Sequence, residues 1–266
     1  MSEADAWARL EAELDAWQAS DRDATLWWRD DDAGDATPAL HRLLALVERY
    51  GAPLALATVP VWATAALGTA VAQVGNRTGG RVGVLQHGYA HENYAPAGQK
   101  KFELGPERPA QIVVAEIAQG WQLLEARFGA QFWPALVPPW NRMAPYLPPF
   151  LAELRFRGLS QFGPRERTEP VRGLRQVNTH VDIVHWKGPV PRFAGAAKLL
   201  DEFSDHLRAR RTGMADPDEP TGLLTHHAAH DDACWAFLEA LFQRLARHAA
   251  VRWLPVPAVF SDAAAP

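Results

Sequence analysis

Three consecutive carboxylates, Asp30, Asp31 and Asp32, follow an apolar segment that ends in Trp27 and Trp28. Adjacent acids repel one another unless a cation or a shared proton relieves the repulsion, and one acid can then bind metal while its neighbour acts as a base. A solvated loop or a helix cap would explain the same triplet without any chemistry. The triplet therefore indicates a candidate cation site with a structural alternative.

Two histidines four residues apart, His87 and His91, end a second apolar run. Two imidazoles and one carboxylate around a divalent ion leave coordination sites open for water and substrate, as in catalytic zinc sites. A histidine pair can also be structural, so its interpretation as a metal site depends on the acids and on further histidines along the chain. This donor set predicts a divalent metal cofactor and suits zinc, with cobalt and manganese as alternatives.

A third apolar run ends in His226 and His227, with His230 close behind. In a parallel β/α architecture the carboxyl ends of the strands face one side and build the active site, so three distant segments can converge there. An alternative is that His226 and His230 form a second metal pair on the following helix.

These segments together resemble the polysaccharide deacetylase superfamily, a metal-dependent group related to carbohydrate esterase family 4, over most of the chain. The family's first motif, Thr-Phe-Asp-Asp-Gly, is similar to the segment that carries the carboxylate triplet, which implies Asp31 as catalytic base and Asp32 as metal ligand. A register shifted by one residue is an alternative. The second motif, His-x-x-x-His, implies that His87 and His91 complete the metal site, with Gly88 in place of the usual Ser or Thr.

The family's third motif, Arg-x-Pro-x-Gly, has a counterpart at Pro139, Trp140 and Asn141 that lacks the arginine. The resemblance implies that these three residues contact substrate, although a proline-rich turn with a core tryptophan would explain them as well. Some other group must then orient the base. Arg29 and Arg142 are both candidates, and the sequence does not choose between them.

The fourth motif of the family, Asp-x-x-Asp-Trp, is similar to the segment from Asp182 to Trp186, with His185 at the second acid. The fifth motif, Leu-x-His, ends at His226 and implies that this residue is the catalytic acid, held in its tautomer by Asp182. Trp186, like Trp140, is a candidate for stacking on a sugar ring.

The resemblance implies a metal-dependent hydrolase that removes an N-linked or O-linked acetyl group from a saccharide or a sugar-containing metabolite. One alternative keeps the metal and the fold but cleaves another C–N bond, as the allantoinase-like and imidase-like members do. Another alternative is a sugar-binding relative without turnover, which the missing arginine of the third motif favours. A screen of acetylated sugars against cyclic amides separates the two enzymatic hypotheses.

Composition excludes some partners. With 266 residues, 48% hydrophobic and 22% charged, the chain can bury a sizeable core, and we expect a single domain over 1–266. A net charge of −4 argues against a nucleic-acid surface, and the cluster Arg208, Arg210 and Arg211 is expected to be the solvated end of a helix. The oligomeric state is not indicated.

The single cysteine, Cys234, excludes an intrachain disulfide and fits a reducing compartment. The N-terminal segment is acidic and carries apolar residues at helical spacing, unlike a signal peptide, so we predict a cytoplasmic location. The most apolar stretch, 53–75, is interrupted by Pro60 and Gly68, which favours a strand followed by a helix over a membrane span.

The elements that must position these side chains follow from apolar runs that alternate with amphipathic segments, a pattern typical of β/α units. This alternation predicts an α/β protein, and the resemblance implies a distorted (β/α)7-type barrel. The predicted helices are 4–19, 38–50, 109–128, 195–211 and 231–248. The predicted strands are 54–59, 82–86, 134–137, 157–161, 181–185, 222–226 and 251–254. Three polar loops, 92–108, 163–172 and 212–220, are expected to shape a substrate groove.

Overall fold

A curled, mostly parallel sheet surrounded by helices forms the fold in a computed structural model that describes residues 2–261. The strands are β1 (Ala24–Ala33), β2 (Leu54–Thr58), β3 (Val82–His87), β4 (Phe132–Val137), β5 (Gly158–Leu159), β6 (Arg175–Gln176), β7 (Val181–Asp182), β8 (Val184–His185), β9 (Arg192–Phe193), β10 (Thr221–Thr225) and β11 (Val251–Trp253). The main sheet runs β6-β5-β4-β3-β2-β1-β10-β7, with β11 also paired to β1. The α/β barrel-like architecture predicted from the sequence is therefore confirmed.

Helices lie close to the five predicted ones and at the end of the apolar stretch 53–75, whereas two short helices were not predicted. The helices are α1 (Glu3–Ala19), α2 (Pro38–Tyr50), α3 (Ala65–Thr78), α4 (Ala110–Phe128), α5 (Leu147–Glu153), α6 (Ala196–Arg211), α7 (Asp232–Leu245) and α8 (Val256–Phe260). The ends of α2 illustrate why: the Thr37 side chain accepts the N–H of Leu40, Pro38 occupies the first turn, and Gly51 ends the helix with φ 68°. Within residues 2–261 no helix combines the length and the apolarity that a bilayer span requires.

Two strand predictions differ from the structure. The predicted strand 181–185 is split, because β7 joins the main sheet beside β10 while β8 turns away to pair antiparallel with β9. The predicted strand 157–161 is reduced to the two residues of β5. Strands this short carry too few residues for an alternating apolar pattern to mark their ends.

The barrel interior is filled by α8 at the end opposite the site residues. Val256, Val259 and Phe260 pack there against Trp27 and small strand residues such as Ala55. Glycines in β3 and β5 make the room, since a Cβ on either would lie under 3.0 Å from Val256 or Phe260. This plug closes one end of the barrel and leaves the carboxyl ends of the strands for polar side chains.

Side chains of β1 alternate between the two faces of the sheet. Trp27 belongs to the cluster inside the barrel, whereas Trp28 packs outside against Phe242, with ring centroids 4.7 Å apart. Arg29 and Asp31 therefore share the interior face with Trp27. The triplet lies in a strand rather than in a solvated loop or a helix cap, so its structural alternative is wrong.

The last turn of α6 corrects a prediction. The Arg210 side chain is buried rather than solvated, and its guanidinium donates to the Thr25 carbonyl at 2.9 Å and to the Thr221 hydroxyl at 3.1 Å. Arg211 pairs with Glu13 of α1. Basic residues at a helix end are thus used here to join α6 to α1 and to the sheet.

The buried face of α1, which includes Leu10, packs against α6 and belongs to the large hydrophobic cluster that also contains Trp28 and Phe242. We expect Leu10→Ala to lower the free energy of unfolding by about 2–5 kcal/mol, because the substitution leaves a cavity in a fully buried position. Urea denaturation measures the change, and Gln18→Ala on the exposed face of the same helix is the control. Equal stabilities of the two variants would mean that α1 is not part of the cooperative core.

Candidate active site and metal centre

The predicted site residues lie together at the carboxyl ends of the strands. Asp31 and Asp32 are near the end of β1, His87 ends β3, Asp182 ends β7 and His226 follows β10. Within residues 2–261, six residues other than glycine have a positive φ. Four of them lie at this site, namely Asp32, His91, Trp140 and Asn141. Such strained backbone costs about 1–3 kcal/mol per residue and clusters at functional sites.

Asp32, His87 and His91 form a compact group of possible metal ligands. The Asp32 Oδ1 atom lies 3.1 Å from the His87 Nε2 atom and 3.2 Å from the His91 Nε2 atom. The His87 Nδ1 atom lies 3.0 Å from the Val137 carbonyl, which can only accept, so Nδ1 carries a proton and Nε2 is left to bind an ion. These donors fit the divalent ion predicted from the sequence.

Electrostatics at this group also favour a cation. When no metal is bound, His87 can carry a second proton on Nε2 and donate it to Asp32. Burial opposes the charge on Asp32, yet the hydrogen bonds from His87 and His91 then hold the pKa of this carboxyl far below its usual range. Burial also opposes a positive charge on His87. The neighbouring carboxylates of Asp32 and Asp31 favour that charge more strongly, so the pKa of His87 is raised. A positive charge beside Asp32 is thus stabilised in this position.

Arg29, rather than Arg142, pairs with Asp31. The guanidinium makes a two-pronged contact with the carboxylate, with Nε 2.8 Å from Oδ1 and Nη2 3.0 Å from Oδ2. Both side chains are essentially buried. The three remaining Arg29 N–H groups donate to the Ser160 hydroxyl at 2.6 Å, to the Asn141 Oδ1 atom at 2.7 Å and to the Gln161 carbonyl at 3.2 Å. Arg142 instead reaches the Lys101 carbonyl at 3.3 Å.

Asp30 points to the other face of the sheet. Its carboxylate accepts the Thr225 hydroxyl at 2.6 Å and the His227 backbone N–H at 3.0 Å, and it contacts the His227 ring. Burial opposes the charge of Asp30, but His227 and Thr225 outweigh it and lower the pKa of this carboxyl. Asp30 therefore joins β1 to the turn after β10 and is turned away from the metal-ligand group, which argues against a register shifted toward it.

His226 lies between Asp31 and Asp182. Its Nε2 atom is 3.9 Å from the Asp31 Oδ2 atom, and its Nδ1 atom is 3.9 Å from the Asp182 Oδ1 atom. Trp186 donates from Nε1 to Asp182 at 2.8 Å and packs edge-on against the His226 ring, with centroids 4.6 Å apart. His185, at the second acid of the fourth motif, lies in the β8–β9 hairpin.

Aromatic rings flank the group. Trp140 packs on His91 at a centroid distance of 4.5 Å, within a short helical turn that also holds Pro139 and Asn141. The Asn141 Oδ1 atom accepts a hydrogen bond from Arg29. The side-chain amide that was expected to contact substrate is therefore already used in part within the protein. Trp62, which the sequence did not single out, also packs near His91, with ring centroids 5.5 Å apart.

The alternative metal pair of His226 and His230 finds no support. Both residues precede α7 rather than lying on it, and the His226 backbone N–H donates to the His230 Nε2 atom at 3.3 Å. The polar loops 163–172 and 212–220 bind each other through Arg165 and Asp216. These two loops therefore share an interaction that the groove prediction did not include.

A second cluster, His180, His206 and Glu219, also has the spacing of a metal site. However, the Gly222 N–H donates to the His180 Nδ1 atom at 3.0 Å, so the proton of the neutral ring is on Nε2, which faces Glu219 at 3.4 Å. A protonated nitrogen cannot bind a metal. The His206 ring stacks on His180 at 3.6 Å. The cluster is a buried pair of neutral imidazoles.

Comparisons of sequence and of structure differ in outcome. No family profile and no curated protein matches the sequence. Among solved structures, a predicted polysaccharide deacetylase from Mycobacterium smegmatis superposes with a TM-score of 0.59 at 16% identity, over 88% of this chain and 87% of that chain. The catalytic domain of a peptidoglycan N-acetylglucosamine deacetylase from Eubacterium rectale gives 0.54 at 12% identity, over 88% and 89%.

A family 4 acetyl xylan esterase from Clostridium thermocellum, in complex with a cobalt ion, gives a TM-score of 0.50 at 11% identity, over 89% of this chain and 90% of that chain. The protein thus has the fold of the carbohydrate esterase family 4 polysaccharide deacetylases. At identities of 11–16%, the likeness concerns the fold alone. The resemblance predicted from the motifs is confirmed at the level of the fold.

We expect Arg29→Gln to lower the free energy of unfolding by about 3–5 kcal/mol, because it leaves Asp31 buried without its guanidinium partner. Arg142→Gln, the other arginine considered, should change it by less than about 0.5 kcal/mol. Chemical denaturation at neutral pH measures both. A loss for Arg29→Gln no larger than that of Arg142→Gln would contradict the pairing.

The stacked histidines make stability depend on pH. Burial, with His180 and Arg210 nearby, lowers the pKa of His206 to about 2. In the unfolded chain a histidine has a pKa of about 6.5, so as pH falls below that value only the unfolded state takes up the proton, and stability is lost by about 1.4 kcal/mol per pH unit. We expect His206→Asn to make the loss of stability smaller by about 1.4 kcal/mol per pH unit between pH 6 and pH 4.5, because the contribution of this one ring is gone.

Urea denaturation at several pH values measures the slope. His41→Asn, at an exposed position on α2, is the control and should keep it. Parallel pH profiles for the wild type and His206→Asn would contradict the neutral state of the buried ring.

Proposed function

We propose that the protein is a metal-dependent hydrolase that removes an acetyl group from a saccharide or a sugar-containing metabolite. One observation carries the proposal: the Asp32 Oδ1 atom lies 3.1 and 3.2 Å from the Nε2 atoms of His87 and His91, directly beside the arginine-bound Asp31. The likeness of the fold to deacetylases and to an acetyl xylan esterase supports the reaction class.

Asp32, His87 and His91 would hold a divalent ion, with zinc as the first choice and cobalt or manganese as alternatives. When bound, such an ion lowers the pKa of water to about 7 and polarises a carbonyl. The proton on His87 Nδ1 and its contact with the Val137 carbonyl fix the ring in the orientation that ligation needs.

Asp31 is the proposed base. The Arg29 guanidinium holds its carboxylate in one orientation through one hydrogen bond to each oxygen, and each oxygen keeps a lone pair that can take a proton from water. His226, on the other side of this carboxylate, is the proposed acid that donates to the leaving group, with Asp182 oriented toward its second nitrogen. Acid and base catalysis each contribute on the order of 10²–10⁴-fold.

The aromatic surroundings favour a sugar ring as substrate. Trp62 is 43% exposed beside His91, and Trp186 is 48% exposed beside His226. Trp140 contacts both His91 and the exposed Lys101. Exposed indole faces stack on the apolar faces of sugars. Pro139, Trp140, Asn141 and Trp186 stay proposed substrate contacts, and a cytoplasmic location stays a prediction.

Arg29 also bears on the alternative of a relative without turnover. That alternative was favoured by the missing arginine of the third motif, and the contact of Arg29 with Asp31 supplies an equivalent charge. No observation favours cleavage of another C–N bond over deacetylation, so cyclic amides enter only as a comparison substrate.

We expect Asp31→Asn to keep the metal but to lose at least about 100-fold in kcat, since the amide cannot accept the proton. His87→Ala should lose both metal and turnover, because it removes a ligand. Elemental analysis of purified protein and acetate release from a panel of acetylated saccharides measure the two properties.

Wild-type protein with cyclic amides is the comparison for substrate class, and His41→Ala is the control variant. An Asp31→Asn variant with full activity would refute the assigned base. Metal-loaded wild type that binds a saccharide but releases no acetate would support the alternative of a binding protein.

A further inference from the structure

The loop between His87 and His91 encloses a carboxylate from elsewhere in the chain. Glu103 has no exposed surface, although it lies in the polar segment that was expected to shape a groove. Its two oxygens accept three consecutive backbone N–H groups: Tyr89 at 3.1 Å, Ala90 at 2.6 Å and His91 at 2.9 Å. These bonds offset the cost of burying the charge.

The backbone of this loop is shaped to receive an anion. Gly88 and His91 both have left-handed conformations, with φ of 55° and 58°, which turn successive N–H groups toward one point. A Cβ at position 88 would lie 1.9 Å from the Glu103 Oε2 atom. Glycine at this position and the carboxylate therefore depend on each other.

Contacts on both sides hold this arrangement in place. The Ala144 N–H donates to the Leu104 carbonyl at 2.7 Å, so the chain next to Glu103 is fixed to the segment after Asn141. The Gln86 side chain donates to the Gly88 carbonyl at 2.9 Å, so the start of the loop is fixed as well. The carboxylate is thus presented to the three N–H groups by a rigid frame.

We propose that Glu103 is a positioning residue that holds His91 in the conformation required to bind metal. The inference rests on the metal site of the proposed function. Asp32 and His87 are fixed by the strands β1 and β3, whereas His91 lies in a loop beyond β3. Its left-handed backbone therefore depends on the bonds to Glu103. Loss of those bonds removes the ligand that the strands do not hold.

The first experiment measures zinc affinity. We expect Glu103→Gln, which keeps the volume but puts an N–H₂ group against backbone N–H donors, to weaken zinc binding by about 10–100-fold, as is typical of groups that orient metal ligands. Glu107→Gln removes the same charge from an exposed position in the same loop and should leave the affinity unchanged. Glu103→Asp, which keeps the charge, should fall between the two.

A double-mutant cycle separates positioning from general destabilisation. If Glu103 acts through His91, Glu103→Gln should change zinc affinity by less than about threefold in a His91→Ala background, because the ligand that it orients is already gone. An equal loss in both backgrounds, or no loss in the wild-type background, would overturn the proposal.

The second experiment needs no metal. Amide hydrogen exchange of the metal-free protein should be at least about tenfold faster for residues 89–91 in Glu103→Gln than in Glu107→Gln, since free N–H groups exchange from a less protected loop. Unchanged exchange would overturn the positioning role. If the wild type binds no zinc while exchange responds as expected, the proposed function fails and the role of Glu103 in the loop stands.

Discussion

The ion pair of Arg29 and Asp31 is the interaction on which the site depends. A carboxylate inside a barrel is unstable unless a partner compensates its charge, and here the partner lies two residues earlier on the same face of the same strand. Because side chains alternate between the two faces of β1, Asp30 points outward to His227, while Asp32 lies in the irregular end of the strand, near the histidines. The three adjacent acids of this strand therefore lie in three different environments.

The two ends of the barrel have opposite character for a packing reason. Small residues in β2 to β5 leave space that α8 fills with Val256, Val259 and Phe260, so this end is apolar and closed. At the other end, Arg29 occupies the interior, and each of its N–H groups donates a hydrogen bond. The closed, apolar end of the barrel supports the polar layer above it. This support keeps the side chains of the site in fixed positions, as a functional site requires.

Much of this arrangement is visible in the sequence, because it is local. The carboxylate triplet, the His87 and His91 pair, and the histidines after β10 each end an apolar run, and parallel strands bring such endings to one side. Three other features are not local: the choice of Arg29 rather than Arg142 as the partner of Asp31, the hydrogen bonds of Glu103 and the position of Trp62. Each depends on which residues the fold brings into contact, and no spacing along the chain predicts such contacts. The two-residue strands could not be predicted for a different reason: they are too short to show an alternating hydrophobic pattern.

Because Asp31 is oriented by a residue of its own strand, other parts of the site can change without disturbing it. The turn after β4 contributes only the Asn141 amide oxygen to Arg29, rather than the charge that holds the carboxylate. Insertions or replacements in that turn can therefore alter which molecules reach the site while the Asp31 carboxylate keeps its orientation. The range of ligands that the site admits can in this way change independently of the orientation of Asp31.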